Sequence, residues 1–145
     1  MSNSSNTYPA QAQPLGFEQD HFASAFPETR EFWSGAEAGR LMLNTCEDCH
    51  RPHWYPRVVC PLCGSTRLRW QQATGKGTLY AFSTARRASP AYTLAYVQLA
   101  EGPTLLTNVV EADPDALVIG MPVQVTFRRA EEGRMMPFFK PDSPT

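Results

Sequence analysis

Cys46-Glu47-Asp48-Cys49, then ten residues, then Cys60-Pro61-Leu62-Cys63-Gly64: this stretch decides the fold, and it holds all four cysteines of the 145-residue sequence. In a C-x-x-C turn both sulfurs face one centre, and nearby backbone N–H groups hydrogen-bond to the thiolates. Two such knuckles make a tetrahedral S₄ cage of the kind that holds Zn²⁺ at about 2.3 Å per Zn–S bond. With Cys46, Cys49, Cys60 and Cys63 all committed, the site is closed and structural, with one Zn²⁺ per chain and no open position for catalysis. A rubredoxin-like iron fits the same cage. Two disulfides would need an oxidising compartment. Cys46-x-x-Cys49-His50 also reads as a c-type haem attachment, which would leave Cys60 and Cys63 without a role. His50 and His53 flank the first knuckle, but the four sulfurs complete the cage without them, so both are read as surface or packing residues.

Working outward, Arg40 to Asn44 forms a short strand into the first knuckle. Trp54 to Val59 is read as a strand into the second, and Leu68 to Gln71 leaves it with strand alternation. These segments predict a zinc-ribbon hairpin. Before it, Pro27 to Gly39 has the marks of a helix of about three turns. Pro27 suits the first turn, Glu28 and Glu31 favour its positive end, and Gly39 suits the position after the last turn. Phe32 and Trp33 give this helix an aromatic patch. Packing on their own domain is the favoured expectation, and contact with a partner subunit is the alternative.

From Gly75 the texture becomes β-rich. Gly75 to Arg86, Tyr92 to Leu99, Thr104 to Val110, Val123 to Arg128 and Met135 to Phe139 read as five short antiparallel strands. The turn Glu101-Gly102-Pro103 makes a hairpin of the second and third, and Asp113 to Leu117 is a single helical turn before the fourth. Five strands in this order predict a small closed barrel, most simply an OB-fold, with an open sandwich-like sheet as the alternative. Closure would remove the exposed edges that such a sheet otherwise presents.

The fold class is thus mainly β: an N-terminal helix, a four-cysteine ribbon, then a five-stranded barrel. The expected divisions are a disordered arm over 1–16, a helical segment over 17–39, the ribbon over 40–74, the barrel over 75–141 and a tail over 142–145. The arm is polar, with Ser, Asn, Gln and Pro and little to bury. It lacks the charged and apolar regions of a secretory signal, and no apolar run approaches the roughly 18–20 residues of a membrane span, so the expected location is the cytoplasm.

Lys plus Arg number 13 against 14 Asp plus Glu, a net charge of −1. That balance argues against a nucleic-acid-binding module, the alternative function that ribbons and OB-folds bring to mind, because such binders rest on phosphate neutralisation. It also gives no polybasic run for a membrane surface. The sequence contains no Walker A loop and no H-E-x-x-H, and it shows no supported Ser-His-Asp order, so an independent enzyme is not expected. Arg86-Arg87 ends the first barrel strand. Paired guanidinium forks suit the phosphates of a CoA, although the plainer reading is a solvated surface pair.

The ordered set of motifs resembles a known family. Gly39-Arg40-Leu41 precedes the ribbon. Gly75 to Thr84 reads Gly-x-Gly-x-Leu-Tyr-x-Phe-Ser-Thr, and Leu99 to Pro103 reads Leu-x-Glu-Gly-Pro. Asp113 to Val123 follows Asp-Pro-x-x-Leu-x-Ile-Gly-Met-Pro-Val, and Pro137 to Pro141 is Pro-Phe-Phe-Lys-Pro. Over roughly residues 27–141 the sequence resembles the acyl-CoA-associated OB-fold proteins with a rubredoxin-like zinc ribbon, the domain-of-unknown-function thirty-five family. The resemblance implies a non-catalytic accessory subunit. Its partner would be a thiolase-like, aldolase-like or hydratase enzyme acting on acyl-CoA thioesters, and it would help to form the acyl-CoA site.

Overall fold

A computed structural model describes residues 16–142. The arm expected over 1–16 and the tail over 142–145 therefore lie outside the described residues, apart from Gly16 and Asp142.

Two short helices open the described chain. Asp20 caps α1 (His21–Ser24), its carboxylate accepting from the N–H of Phe22 at 2.8 Å and of Ala23 at 3.2 Å. A 3₁₀ turn over Pro27–Thr29 leads into α2 (Arg30–Glu37). The Gly39 N–H reaches the Ala36 carbonyl and the Arg40 N–H reaches the Gly35 carbonyl, with Gly39 at φ +75°. This is a Schellman closure, and glycine supplies the left-handed turn it requires. Gly35 lets α2 approach the next strand closely, since a Cβ there would lie 2.5 Å from Met42 Cγ.

The ribbon is a three-stranded antiparallel sheet in the order β2-β1-β3, from β1 (Met42–Cys46), β2 (Pro52–His53) and β3 (Leu68–Gln72). The strand expected over Trp54 to Val59 is absent. Only Pro52 and His53 pair with β1, and Trp54 and Tyr55 turn away into an aromatic cluster around Phe32. Of the run that suggested a strand, Trp54, Tyr55 and Pro56 pack inward, while Arg57, Val58 and Val59 are exposed.

The barrel closes in the order β4-β5-β6-β8-β7 from β4 (Lys76–Ala85), β5 (Tyr92–Leu99), β6 (Thr104–Val109), β7 (Pro122–Arg129) and β8 (Met135–Pro141). Burial alternates strictly along β5 and β6, as the sequence pattern predicts for strands with one face on a core. β4 pairs with both β5 and β7, with a bulge between Leu79 and Ala81. Gly75 and Gly77 permit this double pairing. A Cβ on Gly75 would sit 2.6 Å from Val125 Cγ1, and one on Gly77 2.7 Å from the Gln98 carbonyl oxygen. The all-antiparallel expectation fails at one joint: β6 meets β8 in parallel, through the single register pair Val109–Phe139. Closing a ring of five strands forces this: β5 and β7 both run against β4, β6 runs against β5 and β8 against β7, so β6 and β8 run the same way.

One continuous core joins these parts. Leu79, Val97, Leu105, Val123 and Phe139 fill the barrel, and the same cluster runs through Leu41 and Leu43 to Phe32, Trp33 and Phe17. Two ion pairs fasten the helices to the barrel: Glu37–Arg129 at 2.8 Å, and the buried Asp20 with Arg134 at 2.7 Å.

Candidate metal centre and partner-facing surfaces

The four sulfurs of Cys46, Cys49, Cys60 and Cys63 lie within 4.8 Å of one another, and they are the only such group of metal-ligating side chains among the described residues. Two of the separations are 3.5 Å (Cys46–Cys63) and 3.8 Å (Cys49–Cys60). A tetrahedron with Zn–S bonds of about 2.3 Å has edges of about 3.8 Å, so the cage already has the size of a zinc site.

The two knuckles are built alike. The Cys46 N–H reaches the Arg51 carbonyl and the Cys60 N–H reaches the Ser65 carbonyl, the same five-residue step. The residue after each second cysteine, His50 or Gly64, is left-handed, at φ 60° and 80°. In each turn the N–H two residues beyond the first cysteine, on Asp48 or Leu62, points at its sulfur at 3.4 Å. Arg67 then ties the second knuckle to the first. It binds Asp48 at 2.7 Å, and Ser65 also donates to Asp48.

The electrostatics of the cage favour a cation. The N–H groups of Cys49 and Asp48 pull the Cys46 thiol down to about 6. The Ser65 N–H pulls Cys63 down too, but the neighbouring thiols and burial outweigh it and push it up to about 12. Four thiolates at this spacing repel one another, and a divalent ion is what allows all of them to ionise. The four sulfurs would hold Zn²⁺ as a cross-link and leave it no exchangeable position.

The other sequence-derived candidates lie elsewhere. Phe32 and Trp33 are 1% and 3% exposed, so both face inward. Phe32 sits at the centre of an aromatic cluster, with ring centroids 4.7 Å from Trp33 and 5.1 Å from Trp54. A partner approaching α2 would meet other side chains. Arg86 is exposed and paired with Asp115 at 2.6 Å, and Arg87 is exposed beside it. His50 is exposed. His53, 4% exposed, is buried with neither ring nitrogen hydrogen-bonded, and burial followed by the nearby Arg57 lowers its pKa.

Sequence reasoning missed the Asp20–Arg134 pair and the inward turn of Trp54 and Tyr55. Asp20, three residues ahead of Ala23, carried a readable cap signal. Nothing local linked it to Arg134, 114 residues further along the chain in the turn between β7 and β8.

Structurally, then, the chain is a rubredoxin-like ribbon seated on an OB-fold barrel. A family model for the ChsH2 rubredoxin-like zinc ribbon domain matches residues 33–69, and one for the ChsH2 C-terminal OB-fold domain matches residues 70–128. A DUF35 domain-containing scaffold protein of Pyrococcus furiosus is 33% identical over 66% of this chain and 74% of its own length. The chain belongs to the DUF35 family. A probable enoyl-CoA hydratase alpha subunit of Thermomonospora curvata is 35% identical over 78% of this chain, but this chain spans only 37% of that protein. Among solved structures, an Ltp2-ChsH2(DUF35) aldolase chain superposes with a TM-score of 0.71 at 31% identity, covering 79% of this chain and 94% of that one. A DUF35 protein of unknown function from Sulfolobus solfataricus shares the fold at 13% identity, with a TM-score of 0.60. No helix among the described residues is long and apolar enough to cross a membrane.

Proposed function

We propose that this chain is a non-catalytic accessory subunit. It binds an enzyme that acts on acyl-CoA thioesters, whether thiolase-like, aldolase-like or a hydratase, and helps to form that enzyme's acyl-CoA site. The observation that carries this reading is the match to a chain of an Ltp2-ChsH2(DUF35) aldolase, over 79% of this chain and 94% of that one, alongside relatives described as scaffold proteins. The closed S₄ cage fits a supporting role, since a metal held by four cysteines has no position left for substrate. Cys46, Cys49, Cys60 and Cys63 hold one structural zinc per chain in this reading.

Activity of the partner enzyme, measured with and without this chain, is the test. Addition should form a stable complex and restore or raise turnover, while the chain alone turns over no CoA thioester. A partner fully active alone, with no complex on gel filtration, ends the proposal. Arg86→Glu and Arg87→Glu should weaken acyl-CoA use in the complex if these side chains reach the CoA phosphates, with turnover of a pantetheine thioester unaffected. Equal rates for both substrates in wild type and variants remove the two arginines from the site. Binding of single-stranded DNA or RNA at micromolar or better affinity with a steep salt slope would instead favour a nucleic-acid role.

A further inference from the structure

The four cage cysteines are covered unequally. Cys46 and Cys60 are 0% and 2% exposed, Cys49 is half-buried, and Cys63 is exposed. The chain on either side of Cys63 leaves the approach to it open. Pro61 and Leu62 are exposed as well, and a Cβ on Gly64 would meet nothing within 4 Å. A cysteine that ligates zinc carries no proton. In the zinc-bound chain Cys63 is therefore a thiolate at the surface, and the thiolate is the nucleophilic form of the side chain.

A second sulfur stands within reach of it. Cys46 Sγ is 3.5 Å from Cys63 Sγ, and Cys49 and Cys60 form a like pair at 3.8 Å. Each pair takes one sulfur from either knuckle. A bond between Cys46 and Cys63 would thus tie together the same two turns that the metal ties. An exposed thiolate with a neighbouring thiolate behind it is the arrangement that reacts with oxidants and then resolves the product within the chain.

We propose that Cys63 of the zinc-bound chain is a modification site for the disulfides of small thiols, and that Cys46 resolves the adduct. In the first step Cys63 Sγ attacks one sulfur of R–S–S–R. The bond Cys63–S–S–R forms and one R–S⁻ leaves. In the second step Cys46 Sγ attacks Cys63 Sγ, forms the Cys46–Cys63 disulfide and expels the other R–S⁻. The two cysteine thiolates lose one electron each, and the small disulfide gains both. The zinc, left with two of its four sulfurs, departs as Zn²⁺. An excess of the small thiol drives both steps back. The product differs from that of chelation, because the metal goes while one covalent link between the knuckles stays. The inference rests on the cage and is independent of the accessory-subunit reading.

Oxidised glutathione, added to the zinc-loaded full chain, tests the proposal without any substitution in the cage. A chromogenic chelator follows the zinc released, and peptide mass mapping locates the sulfur bonds. A glutathione adduct on Cys63 should appear first, then the Cys46–Cys63 disulfide together with about one zinc per chain. Reduced glutathione with added zinc should restore the starting protein. A second measurement uses N-ethylmaleimide at less than one equivalent. In the zinc-loaded chain it should label Cys63 about tenfold faster than Cys46 or Cys60, and in the denatured, metal-free chain all four alike. Labelling of the loaded chain that starts at Cys49, or that is equal over all four, overturns the assignment to Cys63. A disulfide within one knuckle, Cys46–Cys49 or Cys60–Cys63, overturns the part given to Cys46. Zinc that stays bound while the denatured chain is fully oxidised overturns the proposal as a whole.

Discussion

The ribbon tip and the barrel reach order by opposite means. Between Cys46 and Arg67 the chain is mostly exposed. Val58, Val59 and Leu62 all face outward, and Cys60 and His53 are among its few buried side chains. What gathers this segment is the cage and the hydrogen bonds within its two knuckles. The barrel carries no cross-link and depends on Leu79, Val97, Leu105, Val123 and Phe139 packed at its centre. A segment with too little apolar surface to offset its chain entropy needs a staple, whereas a segment that closes on itself does not.

The sharpest way to break that contrast is to remove the staple. Chelation, or Cys60→Ser, should unfold the ribbon tip and leave the barrel standing, since structural zinc sites in small peptides are worth about 10–16 kcal/mol. Exchange-protected amides on β5 with unprotected ones at Cys60 and Gly64 in the second knuckle would show it, and elemental analysis of the intact protein should give about one zinc per chain. Loss of both sets of amides at one chelator concentration would mean that the two regions are a single cooperative unit. The converse variant is Phe139→Ala, which hollows the barrel and should cost about 3–5 kcal/mol. The expected result is a lower melting temperature with the zinc content unchanged; zinc lost alongside would again merge the regions.

The smallest effect comes from the fastening between them. Asp20→Ala removes a helix cap, costing about 1–2 kcal/mol, and leaves Arg134 without its partner. Burial raises the Asp20 carboxyl, but Arg134 and the amides of Ala23 and Phe22 outweigh it, so the folded pKa lies below the ordinary 3.8. A lowered folded value means that the unfolded chain binds the extra proton. The contribution is therefore fully present above about pH 4–5 and is lost as the pH falls through the folded value. Wild type and Asp20→Ala should converge in stability as the pH is lowered through that range, which acid titration of the two melting curves checks.

Much of this arrangement is legible in the residues. Cysteine spacing locates the cage because four ligands in two short turns leave little geometric freedom. The alternation of Tyr92 to Leu99 locates a barrel strand because one face must be buried. Long-range pairings are not legible in the same way. Trp54 to Val59 reads like a strand, and only the position of Phe32, contributed by a distant helix, shows that Trp54 and Tyr55 turn inward while Val58 and Val59 stay exposed. The parallel joint of β6 with β8 follows from closing the barrel, which no local pattern encodes.

The aromatic cluster around Phe32 has an optical consequence. All three tryptophans, Trp33, Trp54 and Trp70, belong to the helical and ribbon parts of the chain, while the barrel strands carry Tyr80, Tyr92 and Tyr96 and no tryptophan. Light absorbed at the red edge of the protein spectrum therefore excites only one half of the molecule, and the emission that returns describes that half alone.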